Sequence, residues 1–161
     1  MTMKFSIRGG APLDGVLTYD DSEYGFSFDA RSPKALGERL GTKGVTSALI
    51  GTLQLEIDVE SREIVYVWGY FPNVRGDVGD LEVPVASPGR VFLSSDDFLE
   101  AGVSFDVPGK PWRVTYDPSS GWVALRLSDA PATLVQIADG TVVGLDDGAL
   151  VSLWLRPVFS G

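Results

Sequence analysis

The chain has 161 residues, carries 13 Lys and Arg against 22 Asp and Glu for a formal charge of −9, and contains neither Cys nor His. At its mass, scaling gives roughly 7,800 Å² of folded surface against about 25,000 Å² unfolded, enough for one domain over residues 1–161 with its own core and no disulfide or metal staple. The missing residue types exclude disulfide frameworks, zinc ribbons, iron–sulfur clusters, thiol nucleophiles, Ser–His triads and imidazole bases, and the acidic balance suits a cationic partner better than a nucleic-acid backbone.

The stretch Met1–Gly10 meets Arg8 before an apolar segment of about seven residues can form, so no secretory leader is expected. No run approaches the ~18 apolar residues of a membrane-spanning helix, and a cytoplasmic protein is expected. Nineteen Gly and ten Pro then cut the chain into short apolar runs with almost no helical periodicity. Strands are expected over Lys4 to Arg8, Val16 to Tyr19, Tyr24 to Asp29 and Val45 to Ile50. Between them, Ser32 as cap, Pro33 at the first position and Gly41 as stop predict a short helix over Pro33 to Leu40.

Leu53 to Glu60 alternates strictly, with Leu53, Leu55, Ile57 and Val59 on one face and Gln54, Glu56, Asp58 and Glu60 on the other. The chain returns as Ile64 to Phe71, which predicts a long hairpin. A four-residue loop from Glu60 to Glu63 pairs Val59 with Ile64 and sets Tyr66, Trp68 and Tyr70 among the core residues. A register shifted by one puts those aromatics beside Asp58, Glu56 and Gln54 on the wet face, as a platform on which a sugar could stack. The shifted register wants a loop glycine that is absent, so the core placement is expected.

Further strands are expected at Leu81 to Val85, Arg90 to Leu93, Val103 to Val107, Trp112 to Tyr116, Trp122 to Leu127, Thr133 to Ile137, Thr141 to Leu145 and Ala149 to Leu155. Asp117 to Gly121, Asp139-Gly140 and Asp146 to Gly148 supply the turns. Ser94 or Ser95 could cap a second helical turn through Glu100. Trp112, Trp122 and Trp154 are expected to anchor the core. The fold class is therefore all-β, an antiparallel β-sandwich or irregular barrel of about ten to twelve short strands with one or two short helical turns.

Residues 63 to 110 hold three basic against eight acidic side chains, the strongest negative excess in the chain. The expected partner-binding residues are Asp77, Asp80 and Glu82 on a Gly-rich loop, then Asp96, Asp97 and Glu100, with Phe98 as the nearest apolar anchor. The loop from Asn73 to Glu82 lacks the regular acid spacing and distal Glu of a Ca²⁺ loop and reads as a solvated connector. Glu56, Asp58 or Glu63 near the three aromatics could form a glycosidase pair, but their spacing is that of ordinary wet-face residues. Neither serine pair lies in a nucleophile motif, and no Gly-Lys-Ser/Thr phosphate loop is present. No catalytic residue, metal or cofactor is assigned.

The hairpin from Gly51 to Val59 and Val65 to Pro72, and the closing stretch from Asp139 to Gly148 and Ser152 to Leu155, resemble small acidic bacterial immunity proteins of polymorphic or contact-dependent growth-inhibition toxin systems. The resemblance implies a non-enzymatic, cytoplasmic protein that neutralises a basic toxin domain, such as a nuclease, in a non-covalent complex, and a monomer is expected. It assigns no role to individual residues. A carbohydrate-binding module and a structural assembly subunit are the alternatives.

Overall fold

The structure, a computed structural model, describes residues 3–161, so Met1 and Thr2 of the stretch read for a leader lie outside the described residues. In chain order the elements are β1 (Phe5–Arg8), β2 (Gly15–Asp20), β3 (Gly25–Ala30), α1 (Pro33–Arg39), β4 (Val45–Ile50), β5 (Leu53–Asp58), β6 (Glu63–Tyr70), β7 (Asp77–Val78) and β8 (Ser87–Pro88). They continue as β9 (Arg90–Leu93), β10 (Phe105–Asp106), β11 (Arg113–Tyr116), β12 (Val123–Arg126), β13 (Thr133–Ala138), β14 (Thr141–Asp146), β15 (Ala149–Leu155) and β16 (Val158–Ser160).

Two sheets form a sandwich rather than a closed barrel. The first runs β10-β4-β5-β6-β3-β2-β16, and β9, carrying β1 on its far side, also pairs with β6. β6 is long enough to serve two partners: Glu63 and Ile64 pair with β9, whereas Gly69 and Tyr70 pair with β3. The first sheet is thus forked along β6. The second sheet runs β11-β12-β15-β14-β13-β8; only β13-β14-β15 is a meander, because β12 pairs with β15 rather than with β13. The strands that were not expected, β7, β8 and β16, are two- or three-residue pieces, too short to leave a periodic signature.

Alternation places the core between the sheets. Leu53, Leu55, Ile57 and Val67 from the first sheet join Val123, Leu125, Val135, Ile137, Val143, Leu153 and Leu155 from the second. The folded surface is 8001 Å², near the value expected for a chain of this mass. Helix α1 forms as read: Ser32 Oγ accepts from Ala35 N at 3.1 Å, and Pro33 opens the first turn.

Three local expectations are corrected. Leu81 to Val85 is not a strand; it belongs to a strap that leaves the edge of β11, where Gly79 N donates to Tyr116 O, and ends as β8 beside β13. The strap therefore reaches from one edge of the second sheet to the other. On that sheet's outward face Ala124, Val142 and Ser152 are buried. The second helical turn is also absent. Ser94 N and Ser95 N both donate to Lys4 O, and the carbonyls of Ser95 and Asp97 accept from Arg62, so long-range partners take the groups a helical turn would have used. The strand read over Val103 to Val107 is reduced to β10, paired in parallel with β4.

Among the described residues no helix is long and apolar enough to cross a membrane.

Candidate functional site

The β5–β6 hairpin takes neither register read from the sequence, and it overturns the expectation that its aromatics are core. Gln54 pairs with Trp68, Leu55 with Val67 and Glu56 with Tyr66, and a bulge then restores Ile57 opposite Ile64. The loop that closes the hairpin has no glycine. Asp58 is fully buried, and its carboxylate accepts Ser61 N at 2.8 Å and Gly41 N at 2.9 Å. Arg62 occupies the left-handed region at φ 70°, held there by donating to the carbonyls of Leu93, Ser95 and Asp97. Those three contacts offset the cost of a positive φ in a residue with a Cβ. The extra residue sends Tyr66, Trp68 and Tyr70 outward.

There the aromatics surround one carboxylate. Glu56 accepts from Tyr66 Oη at 3.2 Å, from Trp68 Nε1 at 3.2 Å and from Ser47 Oγ at 3.3 Å. In the fork between β6 and β3, the Phe28 ring stacks on Tyr66 with centroids 5.6 Å apart. Burial, then the Glu56 charge and hydrogen bond, push the Tyr66 phenol up to about 12. Tyr66 is therefore a fixed donor at neutral pH. Trp68 and Tyr70 remain 38% and 53% exposed, although large aromatics usually pack inside.

The surface around them is apolar and negative. Val16 and Tyr24 are exposed with Tyr70, and Asp20, Glu23 and Asp29 lie on β2, β3 and the turn joining them. A depression of about 330 Å³ is lined by Thr18, Asp20, Glu23, Gly25, Gly69 and Tyr70 among others. Gly25 and Gly69 give it a backbone floor. The five strands β2 to β6 contain no Lys or Arg. This absence makes the open face an attractive one for cations.

The other half of the outward face is closed. Glu63, at 1% side-chain exposure, accepts from Arg90 Nε at 2.8 Å and Nη2 at 2.6 Å, and Arg39 of α1 approaches at 3.5 Å. The hydrogen bond to Glu63 raises the Arg90 guanidinium, while burial lowers that of Arg39 against the opposing pull of Glu63. Together with the bond from Gly41 to Asp58, these contacts tie the α1 segment over the loop end of the hairpin. Of the three carboxylates considered for a glycosidase pair, Asp58 and Glu63 are thus committed to the fold, and only Glu56 lies on open surface.

The acidic residues singled out in the sequence fall into two groups. Asp77, Asp80 and Glu82 are exposed along the strap, near the Tyr70 end of β6. Asp96, Phe98 and Glu100 are exposed near its Glu63 end, with Phe98 at 80%, while Asp97 is half-buried beside Ser95 Oγ and Arg62. An eight-residue strand spans about 25 Å, so the two groups do not form one rim. Among the described residues no three acidic side chains converge to hold a cation. Of the tryptophans expected in the core, Trp112 packs against it, Trp122 is half-buried at the start of the β12 arm, and Trp154 lies on the outward face of the second sheet.

Alternation in the sequence offers an outward placement of the hairpin aromatics only with Tyr66 beside Asp58; the register that forms, with Tyr66 beside Glu56, depends on a bulge that leaves no local signal. The charge-free pattern of β2 to β6 was legible but carried no weight until the strands were known to share a face. No family model matches the chain, and no curated protein matches it.

Proposed function

We propose that this chain is an immunity-type inhibitor that acts in the cytoplasm and blocks a basic toxin domain through the outward face of β5, β6, β3 and β2. One observation carries the reading: a cation-free sheet face exposes Trp68 and Tyr70 around Glu56, next to a depression rimmed by Asp20 and Glu23. Interface centres are enriched in Trp and Tyr, and a partner's Arg or Lys entering the depression would meet the Tyr70 ring and two carboxylates. Negative charge also speeds association with a basic surface. Such an inhibitor needs no catalytic group.

Mixing the chain with the product of the neighbouring reading frame tests this. A stable complex and rescue of toxicity are expected, and neither forming would refute the proposal. Trp68→Ala with Tyr70→Ala should weaken the complex by at least about tenfold, mostly through faster dissociation. Asp96→Lys with Glu100→Lys, outside this face, should change only the association rate. Should those two carry the affinity instead, the docking surface is the acidic group near Arg62.

The Phe28–Tyr66 stack beside Trp68 favours a second reading, a sugar-binding platform. Saturable changes in tryptophan fluorescence with oligosaccharides, lost in Trp68→Ala, would select it.

A further inference from the structure

At the end of β6 away from Trp68 and Tyr70, the outward face continues onto β9 and β1. Glu63 pairs with Phe92, and Phe92 with Ser6, so Ser6, Arg8 and Phe92 share that face with Glu63. A shallow recess of about 500 Å³ lies there, lined by Ser6, Arg8, Ser61, Arg62, Phe92 and Asp96 among others. The cations missing from β2 to β6 are gathered beside it.

Its donors are held in place but not used up. The Arg8 guanidinium lies over the Phe92 ring, 4.0 Å from the centroid, and among the described residues it makes no ion pair. Arg62 donates from Nε and Nη2 to the carbonyls of Leu93, Ser95 and Asp97, which leaves Nη1 uncommitted. Ser61 Oγ accepts from Glu63 N at 3.2 Å and keeps its own proton to give, and Ser6 adds a second hydroxyl. Against these four donors the lining holds one carboxylate, that of the exposed Asp96. The neighbouring Asp97 carboxylate is engaged by Ser95 Oγ. Guanidinium groups already fixed by a ring or by carbonyls lose little freedom on binding, and their forked N–H groups match the oxygens of a phosphoryl group.

We infer that this recess binds a diphosphate group, one phosphoryl accepting from Arg8 and Ser6 and the other from Arg62 Nη1 and Ser61. The length follows from the strands: β1 and β6 flank β9, so donors on the two sides start about 10 Å apart, more than one phosphoryl group bridges well. Phe92 offers no open ring for a base, because Arg8 covers it. Asp96 opposes the anion and weakens the site without changing its sign. Charges more than about 8 Å away are screened at physiological ionic strength, so the net −9 weighs less than these nearest groups. The site is separate from the face around Glu56 and stands or falls independently of it.

The probe is inorganic pyrophosphate, with orthophosphate as control, titrated calorimetrically into the full chain at about 0.15 M salt. Pyrophosphate should saturate a single site with a Kd below about 1 mM, at least about fivefold tighter than orthophosphate. Arg8→Gln should weaken it about fivefold or more, and Asp96→Asn should tighten it about threefold. Both residues are exposed, so neither variant depends on refilling the core. Trp68→Ala with Tyr70→Ala should leave the affinity unchanged. No saturable pyrophosphate binding, orthophosphate binding as tightly, unchanged affinity in Arg8→Gln, or unchanged or looser binding in Asp96→Asn would each overturn the inference.

Discussion

Replacing Glu63 by Gln tests whether the buried charge cluster fixes the boundary of the open face. The carboxylate is 1% exposed and receives two hydrogen bonds from Arg90 and the charge of Arg39. A neutral amide keeps the shape but leaves two guanidinium groups, 34% and 18% exposed, without their counter-charge. Removing one partner of a buried ion pair costs about 3–5 kcal/mol, and the partial solvation of Arg90 places this one near the lower figure, about 3 kcal/mol. For a chain of this size that corresponds to a Tm lower by roughly 10 °C. Urea unfolding should show a lower midpoint with an unchanged slope. Hydrogen exchange should rise in Pro33 to Gly41, because Arg39 would lose its hold on β6. Replacing Glu63, Arg39 and Arg90 together by Met should restore most of the loss, since no charge is then stranded. A cost below about 1 kcal/mol for Glu63→Gln would refute the reasoning, showing that water or local rearrangement solvates both guanidinium groups.

Two pH dependences follow from the titrating groups. With the Tyr66 phenol moved from 10.0 to about 12, its contribution to stability is complete below pH 10 and is lost as pH rises through that interval. Ultraviolet titration of the five tyrosines should show a late step that Tyr66→Phe reduces; what is left belongs to Tyr19, whose phenol burial also pushes up. Glu56→Gln should lower that step only partly, because burial outweighs the Glu56 charge. A Tyr66 that ionises with the exposed tyrosines would contradict its placement. At the acid end, Leu81 N–H, with the hydroxyl and N–H of Ser119, holds the Asp117 carboxyl down to about 2 from 3.8. That contribution is present above pH 3.8 and is lost as pH falls toward 2. Asp117→Asn should flatten the acid-side decline in stability and loosen the strap at Leu81, read by proteolysis between Asp77 and Ser87; an acid profile identical to the parent would refute the assignment.

Local chemistry was enough to determine much of this protein from sequence. The alternation of Leu53 to Asp58, the Ser32–Pro33 helix start and the Asp-Gly turns of the last third each depend on residues a few positions apart. The all-β class followed from them, as did the exclusion of thiol and imidazole chemistry. Charge could be counted but not positioned: the acidic group at Asp77 to Glu82 and that at Asp96 to Glu100 are close in sequence yet separated by the length of β6.

Tertiary structure decided which way the hairpin aromatics face. Arg62 adopts a conformation expected of glycine because carbonyls more than thirty positions along the chain hold its guanidinium, and Asp58 secures the loop from both sides. The same guanidinium draws the Ser95 and Asp97 carbonyls out of the helical turn their sequence suggests. One residue of bulge reverses the face of every side chain beyond it. The bulge between the Ile57–Ile64 and Glu56–Tyr66 pairs, which alternation in the sequence does not contain, therefore turned Tyr66, Trp68 and Tyr70 from the core to the outward face.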